Sequence, residues 1–124
     1  TLEANSRVIV DELMRSSTRL YANPAALAHP ERRRAIDGLV LLINSVLEAR
    51  RRVMVEVNVT SDTLDAVVAV LPCMRQPTIS ELAGGGGFAV KAAVPRADLP
   101  VVMPKLKAAG GNDVVVTNLA QIVP

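Results

Sequence analysis

The clearest pattern in the chain lies at residues 53–59. Val53, Val55, Val57 and Val59 alternate with Met54, Glu56 and Asn58, and period two places the valines on one face of a β-strand and the other set on the opposite face. Upstream the period changes. Ile36, Leu39, Val40, Ile43, Val46 and Leu47 recur at helical spacing. His29-Pro30-Glu31 opens that run with a proline where no amide donor is needed and an acid near the positive end of the helix dipole. These features predict a long helix from Pro30 to about Arg51. Ahead of it, residues 7–15 and 18–22 read as two short strands. Asn23-Pro24 then marks a turn, and residues 24–28 fit one helical turn.

Downstream, Ser61 is placed to cap a helix carrying Leu64, Val67, Val68 and Leu71. Pro72 stops that helix, and Pro77 delivers Thr78 directly into a new strand predicted over 78–83. The glycine run 84–87 is a turn, and residues 88–94 form the antiparallel return. Asp98 can cap a further helix with Val101, Val102, Met103, Leu106 and Ala109 as its inner face. Pro100 suits its start, whereas Pro104 implies a late beginning or a bend. Gly110-Gly111 ends it, residues 113–117 form the last strand, and the remainder closes the chain.

The order from residue 53 is therefore βαββαβ in 72 residues. That order is the α+β ferredoxin-like sandwich, a four-stranded antiparallel sheet with two helices on one face. Three segments follow: residues 1–28, a connecting helix over 29–52, and the sandwich over 53–124. So small a domain buries only ~60% of its unfolded surface, and the other sheet face calls for a partner or a ligand.

Composition narrows the function. Half the residues are hydrophobic, but Tyr21 and Phe88 are the only aromatics, so the core must be built from Val, Leu, Ala and Ile. The net charge of +2 divides unevenly: residues 1–52 carry nine Arg against six acids, and residues 53–124 carry five basic side chains against six acids. The clusters Arg32-Arg33-Arg34 and Arg50-Arg51-Arg52 fit a solvated helix face better than a phosphate site. RNA recognition on such a sheet uses aromatic stacking on central strands. Only Phe88 is available for that, so nucleic acid is disfavoured. No apolar run reaches the ~18 residues of a membrane span. With no signal peptide at its front and no initial Met, the chain is expected to be a cytoplasmic piece of a protein, with no membrane partner.

Candidate chemistry is sparse. The glycine run is followed by Phe88-Ala89-Val90-Lys91, a strand rather than the Lys-Ser/Thr and helix of a phosphate loop. Cys73 has no disulfide partner and reads as an inert thiol at a helix end. His29 stands without a ligand cluster, so no metal site is expected. The carboxylates show no convincing acid–base pair, and no catalytic residue is identified. Asn58, Thr78 and Asp113 fall at strand ends that a shared sheet can bring together. They fit either ordinary strand-end capping or a pocket that offers an amide, a hydroxyl and a carboxylate to a small amino acid.

The run from Val53 to Val59, Leu64-Asp65-Ala66-Val67, Leu71-Pro72-Cys73-Met74-Arg75-Gln76-Pro77-Thr78-Ile79, Lys105-Leu106-Lys107-Ala108-Ala109-Gly110 and Val114-Val115-Val116 resemble the C-terminal regulatory domain of long-form ATP phosphoribosyltransferase. Thr1-Leu2-Glu3-Ala4-Asn5 is similar to the end of that family's phosphoribosyl pyrophosphate loop, and the segment 16–24 to its last catalytic-domain strand. The resemblance implies a histidine-biosynthesis transferase that uses magnesium and is inhibited allosterically by L-histidine. It implies a homo-oligomer, a hexamer in the family. It casts residues 1–28 as the tail of a catalytic domain, with Thr1 the remnant of the loop and the catalytic core absent from this chain, which by itself is expected to be inactive. Carried over by motif position, the histidine-binding residues are Asn58, Met74, Thr78, Ala93 and Asp113. Asn58 stands where some relatives have Asp, and Asp113 and the glycine turn depart from the family pattern. A stand-alone amino-acid-binding module and a structural oligomerisation domain are the other readings.

Overall fold

The computed structural model describes Val8 and residues 10–123. The chain divides into two compact units, residues 1–35 and 36–124. In the first unit, helix α1 (Pro24–Ala28) is started by Asn23, whose side-chain oxygen accepts a 2.8 Å bond from the Ala25 backbone N–H. Helix α2 (Pro30–Arg51) begins here.

The expected strands at 7–15 and 18–22 do not form among the described residues, with Arg7 and Ile9 lying outside them. An extended segment becomes a strand only when a neighbour accepts its backbone hydrogen bonds. Within the described residues, 10–22 have no such neighbour, and Val10, Leu13 and Tyr21 stand exposed.

The second unit holds the sandwich. Strands β1 (Arg52–Val59), β2 (Thr78–Glu81), β3 (Phe88–Pro95) and β4 (Asn112–Asn118) form one antiparallel sheet in the order β2-β3-β1-β4. Helices α3 (Leu64–Val70) and α4 (Leu99–Ala108) supply Val67, Val102 and Leu106 to the core formed with the buried sheet face. Val53, Val55 and Val57 of β1 pair with Val94, Ala92 and Val90 of β3, and all six are buried. Burying each of the five valines among them is worth roughly 1.5–3 kcal/mol. No aromatic ring contributes to the fully buried set. Phe88 packs only against its margin.

The helix boundaries agree with the expected pattern more closely than the caps do. Ser61 does not cap α3. Thr63 occupies the N-cap position without a side-chain cap bond, and its hydroxyl instead lies 3.0 Å from that of Thr60. A hydrogen bond from Thr60, aided by its own backbone, holds the exposed Asp62 carboxyl below its ordinary value. Asp98 ends a 3-10 turn (Arg96–Asp98) and makes no side-chain cap bond to α4. Pro104 lies within α4, and Val101, expected on the inner face, is exposed.

Gly110 and Gly111 stop α4 by a specific device. The Gly110 N–H donates to the Lys107 carbonyl at 3.2 Å and the Gly111 N–H to the Leu106 carbonyl at 2.9 Å, the paired bonds of a Schellman motif. Gly110 sits at φ +96°, and a Cβ there would lie 2.6 Å from the Thr63 methyl. Arg96 fastens the other end of the sheet: its Nε donates to the Arg50 carbonyl at the end of α2, and its Nη2 donates to Asn118 Oδ1 of β4 at 2.9 Å.

Among the described residues no helix is long and apolar enough to cross a membrane. In α2 the buried residues are Ser45 and Ala49, while Leu39, Val40, Ile43 and Leu47 of the apolar stripe are exposed. Their spacing made the helix; the small residues on its other side made the contact.

Gly110→Ala should destabilise the domain by about 1–3 kcal/mol, through the left-handed backbone and the Thr63 contact. Gly86→Ala should change stability by well under 1 kcal/mol, since a Cβ there meets nothing within 4 Å and the backbone is not left-handed. Urea denaturation of the two variants checks the contrast.

Candidate functional site

The two helices cover one sheet face, and the side chains of the alternate register lie on the other. Met54 is paired with Ala93, Glu56 with Lys91, and Lys91 with Thr78 across the β1-β3-β2 ladder. Paired residues in an antiparallel sheet share a face, so these side chains form rows on the side away from the core. Lys91 Nζ lies 3.2 Å from Glu56 Oε1 within one such row.

A recess of about 330 Å³ opens over the outer end of these rows. Met54, Lys91, Ala92 and Ala93 form its floor, Thr78 and the segment Met74, Arg75 and Gln76 its rim, and Ile122 and Val123 its far wall. Its volume lies at the small end of the range for ligand pockets. It is lined by apolar side chains together with Arg75, Gln76, Thr78 and Lys91, and no carboxylate lines it.

Local chemistry explains how the rim is placed. Pro72 cannot continue α3, whose last turn closes with the Leu71 N–H on the Val68 carbonyl. The Cys73 N–H then donates to the Leu71 carbonyl at 2.9 Å, a tight reversal that turns Met74 and Arg75 toward the sheet. Pro77 restricts the residue before it and leads into the extended backbone of β2. Thr78 is thus the first ladder residue and carries its hydroxyl at the recess. The far wall is tied down separately: the Ile122 N–H donates to the Ser45 carbonyl of α2 at 3.0 Å, and the buried Ser45 hydroxyl donates to the Leu42 carbonyl at 2.7 Å.

The structure divides the five residues carried over by motif position. Met74, Thr78 and Ala93 line the recess together. Asn58 and Asp113 do not. They meet each other, with Asn58 Nδ2 donating to Asp113 Oδ2 at 3.3 Å. Four residues of strand separate Asn58 from Met54, about 13 Å at the rise of a β-strand.

Asp113 reaches Asn58 through a β-bulge. Between Glu56 and Asn58 the register with β4 slips by one residue, and Asp113 adopts φ +47°, a left-handed conformation that Asp tolerates better than most residues. Thr1 lies outside the described residues. Sequence reasoning did not single out Arg75, Gln76, Met54, Lys91 or Ile122. Lys91 and Met54 could have been found by pairing the outward-facing positions of β1 with those of β3. The closing segment offered no signal.

A second recess, of about 420 Å³ and mostly apolar, runs along α2 between Leu42, Ile43, Val46, Leu47 and Arg50, with Gln121 at its side.

Fold and recess together define a ferredoxin-like α+β domain whose sheet carries a small-ligand-sized hollow on the face away from its helices. Residues 49–121 match the family described as HisG, C-terminal domain, and the chain belongs to that family. The matched span contains all four strands and every recess residue except the far wall. The chain is 34% identical over its full length to the ATP phosphoribosyltransferase of Pelotomaculum thermopropionicum. It is 39% identical over its full length to that of Natronomonas pharaonis, and 36% identical over 99% of its length to that of Solibacter usitatus. In each case it spans 43% of the relative's length.

Burial raises the Cys73 thiol above its ordinary pKa, and its Sγ lies 3.4 Å from the Leu71 carbonyl. The thiolate is the reactive form, so Cys73 should be alkylated by iodoacetamide at pH 8 more slowly than a free cysteine peptide, several-fold or more. In denaturing urea the rates should converge. Equal rates in the folded protein would contradict the burial.

Proposed function

We propose that the chain is the histidine-sensing, allosteric region of an ATP phosphoribosyltransferase of the long form, acting in the first step of histidine biosynthesis. The observation that carries this reading is the recess. In a chain of this family, Met74, Thr78 and Ala93 converge on a hollow of metabolite size. The polar side chains at its rim suit the charged end of an amino acid, and the apolar side chains Met54, Ala93 and Ile122 suit its body. Thr78 supplies a hydroxyl with no hydrogen-bond partner among the described residues. The Asn58–Asp113 pair lies too far along β1 for a ligand in the recess to touch both places. It would reach such a ligand only from a second copy, consistent with a homo-oligomer.

The mechanism is a shift between arrangements of that oligomer. L-Histidine binds one arrangement better, and a coupling of this kind is typically worth 1–3 kcal/mol. Helix α2 joins the sensing domain to what precedes it and ties to the recess wall through the Ser45–Ile122 bond. Transferase activity belongs to the intact enzyme, with the chain by itself inactive. Magnesium is implied for that intact enzyme; among the described residues no group of three or more His, Cys, Asp or Glu side chains could hold it.

A second reading, a domain that serves assembly alone, draws on the exposed apolar stripe of α2 and on the exposed edge strand β2.

Calorimetric titration with L-histidine separates the two. The sensing role predicts a heat of binding that Thr78→Ala weakens about 3- to 10-fold, the worth of one hydrogen bond. No heat, together with a stable oligomer by light scattering, supports assembly instead.

A further inference from the structure

The recess gathers polar side chains for which the chain supplies no partner. Arg75, Gln76 and Thr78 all line it, and none makes a side-chain hydrogen bond or ion pair among the described residues. Lys91, the second cation on the wall, is already matched by Glu56 at 3.2 Å. Arg75 is therefore the lining cation whose charge nothing in its surroundings offsets. It is also placed rather than loose in sequence terms, since Pro72 and Pro77 bracket its short segment. Thr78, three residues on, is held by its ladder pairing with Lys91.

Opposite these groups stand Met54, Ala93 and Ile122. An open guanidinium with a free hydroxyl beside it, facing an apolar wall, fits a molecule with a carboxylate at one end and an uncharged body at the other. A guanidinium presents its donors as a planar fork that matches the two oxygens of a carboxylate, which an ammonium does not.

We propose that Arg75 is the specificity-determining residue of the recess: it binds the carboxylate of an α-amino acid, with the Thr78 hydroxyl as a second donor, and so admits the amino acid in preference to its amino-alcohol or amine analogue. This rests on the effector reading above and adds to it the group by which the ligand is chosen. The contact lies at the recess margin, open to water, so its effect is set near the lower end for a charge-assisted bond, about tenfold in affinity.

The test is a pair of calorimetric titrations of the 124-residue chain, with L-histidine and with L-histidinol, in which the carboxylate is replaced by an alcohol. The unaltered chain should bind L-histidine about tenfold more tightly or better. Arg75→Gln should weaken L-histidine about tenfold, leave L-histidinol within twofold, and so erase the preference. Arg75→Lys should restore part of it. An unchanged urea midpoint would show that Arg75→Gln leaves the fold intact. If Arg75→Gln keeps the preference, or the unaltered chain binds both ligands equally, the assignment of Arg75 is overturned while the effector reading stands. If the unaltered chain binds neither, both fall.

Discussion

Everything in the sandwich depends on the division of β1 into two faces. Its four valines are driven out of water onto α3 and α4, and because side chains alternate along a strand, that burial fixes where every other residue of β1 must point. Met54, Glu56 and Asn58 lie on the uncovered face as a direct consequence. A slip of one residue would bury a glutamate and an asparagine and expose the valines. The cost of that slip sets the register with β3, and the register in turn places Lys91 beside Glu56 and Ala93 beside Met54.

The recess is a secondary product of the same division. The helices protect one face only, and the short β2 strand leaves the margin of the other face free for the turn between α3 and β2. Two prolines shape that turn, and the closing segment folds back to complete the wall. Its apolar side comes from small and flexible residues, Ala93 and Met54, where larger rings would fill the space. A chain almost free of aromatics builds a core of branched aliphatics and leaves a hollow of about 330 Å³ on the other face.

The same economy leaves α2 unusual. Ser45 and Ala49 are its buried positions, because a small residue allows a neighbouring segment to approach closely and the Ser45 carbonyl is then within reach of the Ile122 amide. The larger residues Leu39, Ile43 and Leu47 face outward. Hydrophobic periodicity identified the helix correctly but left its contact open, since period reports that a helix has an apolar side and not what covers that side.

Read without coordinates, the chain already specified its α+β class, the βαββαβ order and the bounds of α2, β1 and β3, because each rests on local periodicity and on proline or glycine at the ends. It also marked Thr78, through the proline before it, whereas Met74 was marked only by the family resemblance. What it could not determine was set by contacts distant in sequence. The two short strands before residue 23 needed hydrogen-bond partners that the described residues do not provide. The bulge that turns Asp113 onto Asn58 exists only in the pairing of β1 with β4, 55 residues apart. The difference between the two cations of the recess, Arg75 unpaired among the described residues and Lys91 beside Glu56, became visible only in the β1–β3 register.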